Sequence, residues 1–174
     1  KFLEKEDSVK RARNVLEGEA SYDEDLWSQI IEMGFTATAI PEEYGGLGLG
    51  YLELCVIAEE LGRSLAPTPF SSSVYLATEA ILNFGDDSTK QAFLPALASG
   101  EKIGAFAHSE SNTSPTEANI ECTYSGGAIS GTKIAVVDGD VANVYIVTAN
   151  NGSGVGLYLV CLLYTSPSPR DTRS

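Results

Sequence analysis

The sequence predicts an α+β chain, with an N-terminal all-helical domain followed by an incomplete antiparallel, β-barrel-like middle domain. Three observations predict it. Apolar residues recur at helical spacing through the first hundred residues. From residue 103 they fall into short runs separated by glycine-rich turns. Helices precede strands instead of alternating with them, which points to a helical layer and then an antiparallel sheet. The expected divisions are 1–100 for the helical domain, 101–160 for a partial β domain and 161–174 for a non-native tail.

Each element has its own signal. Residues 3–19 read as a highly charged helix with Val9 and Leu16 among few apolar anchors. Ser21-Tyr-Asp-Glu24 has the pattern of a capping box, a hydroxyl followed three residues on by a carboxylate. The helix it opens carries Leu26, Trp27, Ile30, Ile31 and Met33 and ends at Gly34. Over 51–65, Leu54, Ile57, Ala58, Leu61 and Leu65 share one face. Val74, Ala77 and Ile81 mark a further helix closed near Gly85. Ser88-Thr-Lys-Gln91 reads as a second capping box, opening a helix that buries Phe93, Leu94 and Leu97 and stops by Gly100. Pro95 is expected to kink or shorten it. Strands are expected at 103–108, 119–124, 128–130, 133–137, 143–148 and 155–160.

Composition narrows the function classes. The 174 residues carry 24 Asp and Glu against 11 Lys and Arg, a formal net charge of −13. Such a chain has little with which to neutralise a row of phosphates, so no nucleic-acid partner is expected. The same acidity opposes docking on an anionic membrane face, and no apolar run approaches a membrane span. Cys55, Cys122 and Cys161 are widely spaced, which suits a reducing cytoplasmic setting and gives neither a disulfide framework nor a metal site.

Pro41-Glu-Glu-Tyr-Gly-Gly-Leu-Gly-Leu-Gly50 is the most distinctive string. Glycine-rich turns before a helix can offer N–H groups to phosphate. No Gly-Lys-Ser/Thr follows, however, and no strand precedes it, so a tight connector between helices is the better reading. His108 is the only histidine, at the end of the first expected strand. Ser109 and Glu110 adjoin it, but strand neighbours point to opposite faces, which disfavours a Ser/His/Glu catalytic group. The pairs Glu42-Glu43 and Glu59-Glu60 read as surface charge.

Four strings, in order, resemble the acyl-CoA dehydrogenase family. They are Ala39-Ile-Pro-Glu-Glu-Tyr-Gly-Gly-Leu-Gly-Leu-Gly50, Glu59-Glu-Leu-Gly-Arg-Ser-Leu-Ala-Pro-Thr-Pro-Phe70, Phe93-Leu-Pro-Ala-Leu-Ala-Ser-Gly-Glu101 and Ile129-Ser-Gly-Thr-Lys133. The resemblance covers about residues 20–160. It implies a helical domain, a middle β domain and a C-terminal helical domain, with FAD held between the last two. The implied reaction is α,β-dehydrogenation of an acyl-CoA thioester. It also implies an electron-transferring flavoprotein as acceptor and a homo- or hetero-tetramer. The family's usual base is a Glu of the C-terminal domain, which is expected to lie outside this chain. No catalytic residue is therefore assigned here, and the fragment alone is expected to be inactive.

By the same resemblance, Phe106, His108 and Ser109 are expected to line the flavin, and Ser114 to contact substrate. The chain departs from the family at several contacts. Pro115 stands where a Ser is usual and has no N–H to donate. Within Lys133-Ile-Ala-Val-Val-Asp-Gly139, Ala135 replaces a Trp and Val137 replaces a hydroxyl residue that bonds the flavin. Two alternatives follow: a non-catalytic structural subunit of a heteromeric dehydrogenase, or an acyl-CoA oxidase or flavin monooxygenase on the same scaffold. Finally, Cys161-Leu-Leu-Tyr-Thr-Ser-Pro-Ser-Pro-Arg-Asp171 resembles a translated sequencing adapter, so 161–174 is expected to pack poorly.

Overall fold

The computed structural model of the chain describes residues 3, 8–112, 116 and 119–162. The first described helix, α1 (Ser8–Glu17), keeps Val9 and Leu16 exposed, so the expected anchors do not anchor it. A two-oxygen contact from Arg11 to the Asp23 carboxylate, at 2.8 and 2.9 Å, ties it to the next turn instead. Helix α2 (Glu24–Glu32) buries Leu26, Trp27 and Ile30. Its N-cap is Asp23, whose carboxylate accepts the Leu26 N–H at 2.8 Å, and not Ser21. Ser21 donates to Asp140 across the chain. A carboxylate one residue from the helix start outcompetes a hydroxyl further away.

After a single 3₁₀ turn (Phe35–Ala37) the chain enters the glycine-rich connector, which contains a second turn (Glu42–Tyr44). The connector folds back on the residues before it. Gly46 donates to Pro41, Leu47 to Ala37, Gly48 to Ile40 and Leu49 to Thr38, all at 2.9–3.1 Å. Helix α3 (Tyr51–Arg63) then begins with the Glu53 carboxylate accepting the Gly50 N–H. Leu54 and Leu61 are buried and Ile57 packs partly against them. Leu65, expected on the same face, has left the helix at φ +50° and is exposed.

The next helix opens as a π-helical segment (Ser71–Thr78) and tightens into α4 (Glu79–Phe84). It packs small buried residues, Ser72, Ser73 and Ala77, against the sheet, and the Ser73 hydroxyl accepts the Gly104 N–H at 3.1 Å. Helix α5 (Asp87–Ala98) runs through Pro95 to its end. Its N-cap is Asp86, not Ser88, with the Asp86 carboxylate accepting the Thr89 N–H at 2.7 Å.

Among the described residues the sheet has five strands and is not closed. They are β1 (Gly104–Ala107), β2 (Thr123–Ser125), β3 (Ala128–Ser130), β4 (Val144–Asn150) and β5 (Val155–Cys161). Strand β4 is central. It runs antiparallel to β5 along its whole length and parallel to β1 from Gly104↔Val144 to Ala107↔Val147. Beyond β1, Thr123 of β2 meets Asn150, and β2 turns through Gly126-Gly127 into β3. The sheet is thus mixed and not purely antiparallel. A long excursion separates β1 from β4, long enough for a parallel return.

The expected strand at 133–137 does not form. Ile134 makes one backbone bond, to the Ser109 carbonyl, and Ala135 and Asp138 turn through positive φ. The apolar run that suggested a strand divides: Val136 packs against the helices and Val137 faces solvent. Strand β5 extends to Cys161, which pairs with Val144, while residues 163–174 of the expected tail lie outside the described residues. Two apolar clusters join the layers. One holds Leu26, Trp27, Phe70 and Ala105; the other holds Tyr44, Ile81, Leu94 and Ile146.

Candidate functional site

Parallel pairing of β1 with β4 places the residues after Ala107 beside Thr148, the residue after Val147. Here the ladder of β1 stops and the chain continues as His108-Ser109-Glu110. The arm that follows β3 returns to the same place and brings in Lys133. Its ammonium bonds Glu110 Oε1 at 2.5 Å, Thr148 Oγ1 at 2.9 Å and the His108 carbonyl at 3.1 Å. Both charged side chains are 8% exposed. An ion pair this buried survives only if its remaining donors and acceptors are satisfied, and here they are. The Glu110 carboxylate also accepts the Glu121 N–H at 2.6 Å and the Cys122 N–H at 3.1 Å.

Burial pushes the Glu110 carboxyl up, but the Lys133 ammonium, Cys122 and the two backbone N–H groups outweigh it and hold the group at about 2. Burial first, then the adjoining Glu110 carboxylate, pushes the Cys122 thiol up, so it is a packed thiol and no nucleophile. One carboxylate thereby clamps three segments: the end of β1, the approach to β2 and the arm after β3.

Of the expected flavin-lining residues, Phe106 and His108 adjoin each other and Ser109 follows in the chain. Phe106 and His108 are half-buried, with ring centroids 5.9 Å apart. The His108 Nδ1 lies 3.1 Å from Thr148 Oγ1. Ser109 is half-buried and its carbonyl accepts the Ile134 N–H at 2.8 Å. Among the described residues the one hydrogen bond of the His108 ring goes to Thr148 and none to the Ser109 hydroxyl, which disfavours a Ser/His pair. Ser114 and Pro115 lie outside the described residues. Ala135 and Val137 are exposed beside the clamp.

The glycine-rich connector is no anion cradle. The N–H groups of Gly45, Gly46, Leu47, Gly48, Leu49 and Gly50 are all spent on Glu42, Pro41, Ala37, Ile40, Thr38 and Glu53. Among the described residues no group of His, Cys, Asp and Glu could hold a metal ion, and no helix is long and apolar enough to cross a membrane.

Thr148 and Cys122 were invisible in the sequence as members of this site. A threonine in a strand and a cysteine near a turn carry no spacing signal. Lys133 did carry one: it is the only Lys or Arg between residues 103 and 169. A lone cation in an apolar, acidic stretch calls for a specific anionic partner.

Residues 1–101 match the family model of the acyl-CoA dehydrogenase N-terminal domain. The acyl-CoA dehydrogenase FadE27 of Mycobacterium tuberculosis is 34% identical over 143 residues, 82% of this chain and 38% of that protein. The mitochondrial isovaleryl-CoA dehydrogenase of Solanum tuberosum is 32% identical over 140 residues, 77% of this chain and 34% of its own. Among solved structures, the ChsE4-ChsE5 complex from Mycobacterium tuberculosis superposes with a TM-score of 0.79 at 29% identity, covering 92% of this chain and 44% of that one. Butyryl-CoA dehydrogenase from Megasphaera elsdenii superposes at 0.77 and 28% identity, covering 92% and 45%. The chain spans little more than a third of the length of the curated relatives it matches.

Proposed function

The chain belongs to the acyl-CoA dehydrogenase family, and from that premise we propose that it forms the helical and β portion of an FAD-dependent enzyme that dehydrogenates an acyl-CoA thioester. The observation that carries this reading is the contact of the Phe106 and His108 rings at the end of β1, centroids 5.9 Å apart, with half-buried Ser109 next in the chain. Two polar residues beside an aromatic ring suit a flat heteroaromatic ring that carries carbonyl acceptors. The residues present therefore fit the ring portion of FAD. When bound, FAD supplies the acceptor for the hydride removed from the acyl β carbon.

The roles of the chain's own residues follow. Phe106 and His108 line the ring site and Ser109 offers it a hydroxyl. Glu110 and Lys133 fix the backbone of 108–110 so that these groups are held before any ligand arrives. Ser114 is assigned to substrate on resemblance alone. The base that removes the α proton is sought in the part of the relatives' length that this chain does not span, and an electron-transferring flavoprotein is the proposed acceptor.

A second reading has a specific observation in its favour. Val137 and Ala135 are exposed apolar residues of the arm after β3, at positions where the resemblance implies a hydroxyl residue and a Trp. The ChsE4-ChsE5 structure it matches is a complex of two proteins. In that reading the chain belongs to one subunit of a heteromeric dehydrogenase.

The test is the colour of the purified native enzyme. Flavin absorbance that bleaches on anaerobic addition of acyl-CoA supports the first reading. A colourless protein that becomes coloured and active only beside a partner chain supports the second. A protein that is colourless in both settings overturns FAD dependence.

A further inference from the structure

The hydrogen bonds around Lys133 determine which nitrogen of His108 carries its proton. The ammonium has three N–H groups and three acceptors around it: Glu110 Oε1, Thr148 Oγ1 and the His108 carbonyl. Its donors are therefore spent. Thr148 Oγ1 is an acceptor in this set, so its own O–H needs an acceptor elsewhere. Thr148 is 4% exposed, which denies it water. Two acceptors lie within reach, His108 Nδ1 at 3.1 Å and the His108 carbonyl at 3.5 Å. The carbonyl lies at the 3.5 Å limit of a hydrogen bond, so Nδ1 is the better-placed acceptor.

The Thr148 O–H therefore goes to Nδ1. That leaves Nδ1 bare and puts the ring proton on Nε2, which has no hydrogen-bond partner among the described residues. Charge agrees with geometry. A proton on Nδ1 would point at the oxygen that the ammonium already addresses.

We propose that Lys133 and Thr148 are positioning residues that lock His108 in its Nε2–H tautomer, making it a built hydrogen-bond donor for a carbonyl oxygen or ring nitrogen of the bound ligand. Two ligands of the reading above carry such acceptors, the flavin ring and the thioester carbonyl of acyl-CoA. The identity of the ligand rests on that reading; the tautomer does not.

His108 is the only histidine in the chain, so long-range proton–nitrogen spectra of the isotope-labelled chain contain one imidazole. The expected result is a bare Nδ1 and a protonated Nε2. A protonated Nδ1 overturns the proposal. Thr148→Val removes the relay while keeping the volume, and the preference for Nε2–H is expected to fall about fivefold, the weight of one hydrogen bond. Thr148→Ser should restore it. A folded Thr148→Val variant, checked by circular dichroism, that keeps the wild-type ratio overturns the role of Thr148.

Titration with FAD and, separately, with crotonyl-CoA then identifies the acceptor by which of them moves the Nε2 resonance. If each binds, as read by flavin fluorescence and calorimetry, and neither moves it, the donor role is overturned. If neither binds, the ring site needs the part of the relatives' length that this chain does not span, the functional reading is decided by the colour of the native enzyme, and the tautomer result still decides the relay.

Discussion

Two stretches of polar backbone in this molecule had an equal claim to hold a ligand, and they differ in where their hydrogen bonds go. The connector at 41–50 is rich in glycine and precedes a helix, yet every N–H from Gly45 to Gly50 is bonded within its own neighbourhood. The junction at 108–110 has no glycine and an ordinary sequence. Its backbone is held by side chains from other segments, Lys133 on the His108 carbonyl and Glu110 on the N–H groups of Glu121 and Cys122. His108 Nε2 and the Ser109 hydroxyl have no hydrogen-bond partner among the described residues. A ligand site is recognised by which donors are left over once the local fold has taken its own, and glycine content does not report that.

The comparison predicts different failures. The junction depends on charge, so removing one charge should hurt most. Lys133→Met leaves the Glu110 carboxylate 8% exposed and without its cation, an arrangement that costs about 3–5 kcal/mol. A urea or thermal melt of the chain measures it. The same pair gives a pH signature. Folded Glu110 sits at about 2 against an ordinary 4.5, so folding favours the ionised form. Its contribution is complete above about 4.5 and is lost as pH falls towards about 2. In that window the melting temperature of wild type should fall more steeply than that of Glu110→Gln. Parallel slopes would remove Glu110 from the account.

The connector depends on space and backbone conformation. A Cβ on Gly46 would lie 1.9 Å from the Ile40 carbonyl oxygen, a backbone atom that cannot move aside cheaply. Gly46→Ala is expected to cost about 2–3 kcal/mol. Gly45 is the internal control. It has φ +80° but nothing within 4 Å of its Cβ position, so Gly45→Ala should cost only the left-handed conformation, about 1–2 kcal/mol. If the two variants melt alike, the fold-back of the connector onto Ile40 is not what holds it. Neither substitution should change flavin binding in the native enzyme beyond its effect on stability.

The sequence revealed these regions unequally, for physical reasons. Helix positions and their buried faces were legible because periodicity reports burial directly: Leu26, Trp27, Ile30, Leu54, Leu61, Ile81, Leu94 and Leu97 are all buried as expected. Starts were less legible. Ser21 and Ser88 matched a capping pattern, but Asp23 and Asp86, each within two residues, hold the caps. A pattern match cannot rank two competing oxygens. The run at 133–137 looked like a strand because three of its residues are β-branched. Whether it pairs depends on a partner edge, and Lys133 is drawn inward by Glu110, twenty-three residues away. Of the candidate site, His108 and Ser109 are proposed through the family resemblance, whereas Thr148 joins it only through the β1–β4 register, which no local signal encodes.

The smallest expected effect makes the sharpest contrast, because it sets a cation–carboxylate pair of the same length in a different setting. Arg63 and Glu60 contact each other at 2.5 Å one turn apart on α3, as close as Lys133 and Glu110. Distance alone would rank the two pairs equally. The helical pair, however, has its side chains 59% and 40% exposed, so water solvates both ions in either state and the contact replaces solvation that was already good. Glu60→Gln should therefore leave the melting temperature unchanged within error and should show no dependence on added salt. A loss at Glu60 comparable with that of Lys133→Met would mean that contact distance governs these pairs. The expected silence at Glu60 would mean that burial does, and that the clamp at Glu110 matters because it is dry.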